Sequence, residues 1–185
     1  MARNSDLADF GPSASAGAIL QVQFVEASAL QTITSGNAAI LTKTFNRKKG
    51  DSHFIVQTTI SLGMGTSQAN QDSADPCLYF VVNSTIYDSG SGHIAHSSDG
   101  SGEGKAWYKS TVPAWWTTGN YNGTYDMFQY SHQELFTGYT SGSVNDSFTI
   151  TVQGSAGSLG MRVNRPPAGT YDGLFSNMSI WEVAV

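Results

Sequence analysis

The feature that most limits the fold of this chain is a two-residue alternation of apolar and polar side chains. It is clearest at residues 52–62, where one face carries Phe54, Val56, Thr58, Ile60 and Leu62. Because successive side chains of a β-strand point to opposite faces, only this face can line a core. Long amphipathic windows with the period of a helix do not occur, and glycine recurs throughout the chain. The sequence therefore predicts an all-β fold with little helix.

The same alternation, interrupted by glycine and polar turns, marks further strands. They are predicted at residues 18–24, 39–46, 78–82, 106–112, 125–135, 148–152, 161–163 and 178–180. In the first of them Leu20, Val22 and Phe24 are expected to face the core, with Gln21 and Gln23 on the opposite face. About eight short strands with polar turns are typical of a sandwich or jelly roll. We expect a single antiparallel β-sandwich, jelly-roll-like, over residues 18–185.

The N-terminal segment differs from the rest of the chain. Residues 1–17 are polar, and Gly11, Pro12 and Gly17 interrupt any regular element. We expect this segment to be an extended arm. Leu7 and Phe10 are its apolar residues, through which it could attach to a neighbouring protein. A frayed terminus is the alternative interpretation.

Charge is sparse in this chain and limits its partners. Charged residues make up 12% of the sequence, and the net charge is -5 with nine basic residues. Such a chain has no positive field to gather phosphates, so nucleic acid is not an expected partner. No apolar run approaches the length of a membrane span, and residues 1–17 lack the apolar centre of a signal peptide. We expect no membrane partner. A polar but weakly charged surface suits contact with other subunits.

Residues that could carry catalysis or bind a metal are few. Two histidines and two acidic residues stand at residues 93–103 (HIAHSSDGSGE), but they fall in a Gly- and Ser-rich stretch whose backbone would first have to be ordered. Cys77 opens an apolar strand, where cysteine is more often a small buried side chain than a nucleophile. A polysaccharide-cleaving site needs paired carboxylates, and the acidic residues here fall mostly in turns. We expect no catalytic residue, no metal, no cofactor and therefore no enzyme.

Aromatic side chains crowd into one glycine- and asparagine-rich segment. Its candidate site residues are Trp107, Trp115, Trp116, Tyr121 and Tyr125. Burial in a core or subunit interface is the more common use of such residues. A sugar-stacking platform is the other interpretation, and neighbouring Asn and Asp side chains could then bond the sugar hydroxyls. Both interpretations stay open at the level of sequence.

Several short motifs follow one another in a recognisable order. They are Gly17–Gln23 (GAILQVQ), Gln31–Ser35, Ser52–Val56, Ser131–Leu135, Ser147–Val152 (SFTITV), Gly154–Gly160, Val163–Arg165 and Ser179–Glu182 (SIWE). In this order they resemble a family of small β-domains encoded by tailed phages, especially marine ones, on fibre tips and head-surface proteins. The resemblance spans most of residues 17–185, and residues 86–125 have no counterpart in it.

This resemblance implies a structural role in a phage virion. The expected function is that of a capsid-surface decoration or knob protein, or of a short fibre-type subunit, made in the host cytoplasm and located in the virion. Its expected partners are other virion proteins, such as capsid or tail subunits, and further copies of itself. The alternative is a lectin-like module of the tail that binds glycan on the host surface.

The predicted strand at residues 78–82 (LYFVV) bears on the number of copies. It is apolar on both faces, with Tyr79 and Val81 opposite Leu78, Phe80 and Val82. A two-layer sandwich buries only one face of each sheet, so the second face needs cover. Packing against identical neighbours around a threefold axis would supply it, as in the trimers that the resemblance implies. We therefore expect a homotrimer, with cover by a loop of the same chain as the alternative.

Overall fold

The computed structural model describes residues 15–34, 36–64, 77–86, 94–95, 105–106, 108–109, 128–137, 142–156, 161–164 and 174–185. Within these ranges the chain forms β-strands and no helix. In chain order the strands are β1 Ile19–Ala27, β2 Gln31–Ile33, β3 Gly36–Asn46, β4 His53–Met64, β5 Cys77–Val82, β6 Thr85–Ile86, β7 Ile94–Ala95, β8 Lys105–Ala106, β9 Tyr108–Lys109, β10 Phe128–Phe136, β11 Ser147–Ala156, β12 Met161–Val163 and β13 Ser176–Val183. No part of these ranges forms a helix able to cross a membrane.

Two antiparallel sheets contain almost all of these strands. In the first sheet β13 lies between β1 and β4, and β10 pairs with β4. The short β12 also pairs with β4, beyond the end of β13, and β2 pairs with β12. In the second sheet β11 lies between β3 and β5, and β6 and β9 both pair with β5. Strands β7 and β8 form a separate two-stranded ribbon.

The strand order is that of a jelly roll. Along the chain, the long strands and β9 follow one another in the order β1, β3, β4, β5, β9, β10, β11 and β13. In space they lie in the order β1-β13-β4-β10 in one sheet and β3-β11-β5-β9 in the other. Numbered one to eight, these orders read 1-8-3-6 and 2-7-4-5. Sequentially distant strands thus become neighbours, as in the double-sheet jelly roll. The prediction of an all-β, antiparallel, jelly-roll-like sandwich is confirmed.

The core lies between the two sheets and is rich in aromatic rings. The rings of Phe54 and Phe148 stack at 4.4 Å between centroids, and Phe45 packs against both at 5.7 Å. Further along the core, Phe80 meets Phe136 edge to face at 5.3 Å. Truncating one such buried ring typically costs about 3–5 kcal/mol of stability. The apolar face predicted for β4 lies in this core, since each of its residues is buried.

The register of β1 corrects the expectation from the sequence. The pairing of β1 with β13 shifts just before Gln21, which marks a bulge. A bulge adds one residue, so the side chains beyond it exchange faces. Leu20 is buried as expected, but Gln21 is also buried and Phe24 is 51% exposed, while Val25 packs on the core. The expectation that Phe24 lines the core and that Gln21 faces solvent is wrong.

The burial of β5 bears on the reasoning behind the homotrimer. Leu78, Phe80 and Val82 are buried in the core, as predicted. On the opposite face Tyr79 is only 7% exposed within a single chain. This side chain therefore needs no neighbouring subunit to cover it, so the homotrimer loses this support and stays a prediction.

Candidate functional site

The two ends of the sandwich differ in how their strands are connected. At one end, here called the terminal end, β1 begins and β13 finishes, and residues 47–52 join β3 to β4. The turn between β5 and β6 at this end has two residues, Asn83 and Ser84. Both have positive φ, the conformation of the tight turn that suits twisted strands. Two connections at the terminal end are thus short, while ten residues, 137–146, join β10 to β11 there.

The opposite end, here called the loop end, is where the longer connections are anchored. Met64 ends β4 there and Cys77 begins β5, with 12 residues between them. Lys109 pairs with Cys77, and Phe128 pairs with Leu62, so the two described residues that flank the 18 residues 110–127 both lie at this end. Connections of this length are commonly functional in compact domains.

A buried carboxylate organises the terminal end. Glu182 of β13 is 0% exposed. Its oxygens accept hydrogen bonds from the backbone N–H of Lys48 (2.9 Å) and Lys49 (3.0 Å), from the Ser52 hydroxyl and from the Gln21 side-chain amide. These donors come from β1 and from the turn between β3 and β4, so one side chain ties the last strand to the first strand and to that turn. Hydrogen bonds to a charged acceptor are among the strongest in proteins.

Beside this carboxylate, a buried arginine joins two connections. Arg47 is 3% exposed, and its guanidinium lies over the rings of Phe54 (5.4 Å) and Phe148 (5.8 Å). Its Nη2 donates to the carbonyl of Gly50 at 2.7 Å, and its backbone N–H donates to the Asp146 carbonyl at 3.0 Å. The guanidinium therefore braces its own turn, and the backbone bonds fasten that turn to the connection between β10 and β11.

The segment that precedes β1 is fastened to the same end. The Gly17 N–H donates to the Ala184 carbonyl at 2.8 Å, and the Ala184 N–H donates to the Ala18 carbonyl at 2.8 Å. Gly17 has φ of +83°, which favours glycine. Gly17, the last residue of the arm predicted at residues 1–17, is therefore tied to the end of β13, and residues 1–14 lie outside the described residues.

A second polar cluster stabilises the sandwich further toward the loop end. Asn164, which follows β12 at φ 68°, is 1% exposed. Its side-chain carbonyl accepts from the Ser176 hydroxyl, and its backbone N–H donates to the Ser61 carbonyl at 2.9 Å. The Ser61 N–H in turn donates to the Ser176 hydroxyl at 3.1 Å. These bonds join β4, β12 and β13, so their role is structural.

The outer face of the first sheet carries an apolar stripe. Pairing places Val22 beside Trp181, Trp181 beside Ile55, and Ile55 beside Leu135, which makes one row across four strands. Leu135 is 48% exposed, and Phe24 in the next row is 51% exposed. We call the outward residues of this sheet the stripe face. They are Ile19, Val22, Phe24 and Glu26 on β1, Asn177, Ser179, Trp181 and Val183 on β13, His53, Ile55, Gln57 and Thr59 on β4, and Gln129, Ser131, Gln133 and Leu135 on β10.

The outer face of the second sheet is different in character. Thr42 and Thr151 face each other across β3 and β11, with 3.1 Å between their hydroxyl oxygens. Thr44 and Thr149 form the next pair at 2.9 Å. Such threonine pairs stabilise neighbouring strands and leave a hydrated surface. In the described part of the chain the two outer faces therefore differ, one apolar at its terminal end and the other lined with hydroxyls along β3 and β11.

The site residues proposed from the sequence lie outside the described residues. This holds for the aromatic candidates Trp107, Trp115, Trp116, Tyr121 and Tyr125, and for the arm candidates Leu7 and Phe10. Most of residues 93–103, with both of their histidines and both acidic residues, lie outside them as well. Within the described ranges no group of three or more metal-binding side chains comes together.

Sequence reasoning missed the buried polar residues of the terminal end. One signal was available. Glu182 lies two residues after Ile180 and four after Met178, so the alternation of β13 places it on the same inner face. A carboxylate on such a face needs donors. For Arg47 the sequence offered no signal, since a run of three basic residues in a turn usually faces solvent.

No protein-family model matches the chain, and no curated protein matches it.

Proposed function

We propose that this chain is a structural subunit of a phage virion, either a capsid-surface decoration or knob protein or a short fibre-type subunit. The observation that carries the proposal is the contrast between a terminal end locked by Glu182 and a loop end that anchors the long connections. The chain enters β1 at the locked end, where Gly17 bonds Ala184. A subunit attached there by residues 1–14 would hold its loop end away from the particle.

Three further features support this function. Jelly rolls form many viral capsid domains. The low charge of the chain, 12% charged residues, suits packing against other subunits because few charges lose their hydration. The ordered motifs that resemble phage surface domains begin at Gly17, where the described sandwich is also first tied to β13.

The test asks where on the particle the protein lies, and whether it still binds there without the arm. Cryo-electron microscopy of the phage particle should show the jelly roll on the head or the tail, with the terminal end against the particle. A variant that begins at Ser15 keeps the Gly17–Ala184 bond and should fold normally. When it is added to particles assembled without the protein, it should fail to bind them. If phage particles purified from cells that express the protein did not contain it, the proposal would be contradicted.

A second function, glycan binding by a tail module, has one specific observation in its favour. Lys109 and Phe128, which flank the segment with Trp115, Trp116, Tyr121 and Tyr125, lie at the loop end, whereas Gly17 lies at the terminal end. Trp115→Ala with Trp116→Ala should then abolish binding to host cells at unchanged stability. Loss of stability would instead indicate that these rings are buried.

A further inference from the structure

We propose that the stripe face binds the same face of a second copy of this chain. Seven of its sixteen outward residues are apolar, and they are concentrated at the terminal end of the sheet. Three of these are about half exposed, namely Ile19 (46%), Phe24 (51%) and Leu135 (48%). Monomeric soluble proteins rarely expose a contiguous apolar area of more than a few hundred Å².

The charge on the stripe face favours an identical partner. Glu26 is its one residue with a formal charge at neutral pH, and His53 is its one other titratable group. The remaining polar residues are neutral amides and hydroxyls. Two copies can therefore pack face to face without burying like charges, which is the usual penalty for bringing identical surfaces together. Neutral amides can also bond each other across such an interface.

The size of the face is compatible with a dimer. Four strands about 4.8 Å apart, each contributing about eight residues at about 3.4 Å, give a face of roughly 500 Å² in projection. Outward side chains enlarge the accessible area beyond this projection. A stable interface buries about 800 Å² per partner, so the face with its margins supplies most of the area that is needed.

One symmetry axis sets four of these apolar residues, Val22, Trp181, Ile55 and Leu135, against each other in the two copies, and it places Phe24 over Gln133 of the second copy. A twofold axis parallel to the strands and lying between β13 and β4 keeps each row opposite the same row of the second copy. It places Trp181 opposite Ile55 of the second copy and Val22 opposite Leu135 of the second copy. A contact in which both partners use the same surface is the commonest kind in homo-oligomers. Gln57, in the next row of β4, then lies close to the axis.

The first experiment measures mass and affinity with the full chain. Sedimentation and light scattering should give twice 19.7 kDa at high concentration. Phe24→Gln and Leu135→Gln should each weaken the dimer by about 100-fold, since each change occurs twice and each buried apolar side chain contributes about tenfold. Val144→Gln removes a side chain that is 53% exposed and lies off the face, so it is the matched control and should leave the affinity unchanged.

The second experiment tests the geometry independently of affinity. With Cys77 replaced by serine, Gln57→Cys should cross-link two chains through a short bis-maleimide, whereas Thr42→Cys on the outer face of the second sheet should not. A monomer at all concentrations would overturn the proposal, as would a dimer insensitive to both stripe-face substitutions. A mass of three times 19.7 kDa would overturn the twofold pairing and support instead the homotrimer predicted from the sequence. Purified protein suffices, so failure here leaves the virion proposal standing.

Discussion

Replacing Glu182 by glutamine isolates the contribution of the buried carboxylate to stability. The change keeps the shape of the side chain and removes one acceptor oxygen. Oε1 accepts from the N–H groups of Lys48 and Lys49 and from the Ser52 hydroxyl, while Oε2 accepts from Lys48 and from the Gln21 amide. An amide nitrogen in either position would point its hydrogens at a donor. The substitution therefore creates a donor–donor conflict in a site without solvent.

The loss of unfolding free energy depends on which of these donors can find another acceptor in the variant. The Ser52 hydroxyl can donate to the Lys49 carbonyl at 2.9 Å, and the Gln21 amide already donates to the Asn46 carbonyl at 2.7 Å. The Lys48 N–H donates to both carboxylate oxygens and keeps an acceptor in the glutamine, whereas the Lys49 N–H donates to Oε1 and loses this bond if the amide nitrogen takes that place. A hydrogen bond to a charged group contributes about 1.5–3 kcal/mol. We expect Glu182→Gln to cost about 2–3 kcal/mol of unfolding free energy, and Glu182→Ala more because it also leaves a cavity.

Urea unfolding followed by circular dichroism measures this difference directly. The matched control is Glu26→Gln, which makes the same chemical change at an exposed position of β1 and should stay within about 0.5 kcal/mol. Because Glu26 lies on the stripe face, both variants are compared in a Leu135→Gln background, which weakens the proposed pairing of two copies. If Glu182→Gln lost no more stability than the control, the free energy saved by no longer burying a charge would offset the loss of the hydrogen bonds. Glu182 would then not be what holds the terminal end.

Three other sites give predictions, each measured as a shift of the urea midpoint. A Cβ at Gly50 would lie 2.2 Å from the Gly142 carbonyl oxygen, so Gly50→Ala must displace backbone and should cost about 1–3 kcal/mol. At Gly154 the nearest atoms, at 3.0–3.1 Å, are the flexible ends of side chains, so Gly154→Ala should cost less; an equal loss at both sites would contradict this reasoning. Asn164→Ala leaves the Ser176 hydroxyl without its acceptor and should cost about 2 kcal/mol, whereas an unchanged midpoint would show that the cluster is dispensable.

The sequence predicted best those strands in which no β-bulge interrupts the alternation of buried and exposed side chains. β4 shows five buried residues at every second position, and all of them lie in the core as expected. β13 keeps its alternation without interruption from Ser176 to Val183. In such strands local pattern and global packing agree, so the sequence alone is sufficient. The short β2 lacked a pattern long enough to be recognised.

Strand order could not be read from the sequence, because it depends on contacts between distant segments. β1 pairs with β13 from opposite ends of the chain, and β4 pairs with β10 across more than sixty residues. The polar contacts of Glu182 join residues up to 161 positions apart. The buried role of Arg47 depends on two rings that come from different sheets. Periodicity reports which face a residue occupies, but not which strand lies beside it.

The bulge in β1 yields a test that separates the two possible registers of this strand. Read as an uninterrupted strand, the sequence places Phe24 in the core and Val25 outside; the structure places Val25 against the core and leaves Phe24 about half exposed. We expect Val25→Asp to cost about 2–3 kcal/mol because it sets a carboxylate against apolar side chains. Phe24→Asp should cost less than about 1 kcal/mol, mainly through strand propensity. Both are best compared in a Leu135→Gln background, so that the proposed pairing of two copies does not contribute to the measured stability. The reverse order of the two losses would restore the uninterrupted register, and Gln21 would then have to leave Glu182, because the residues beyond the bulge change face together.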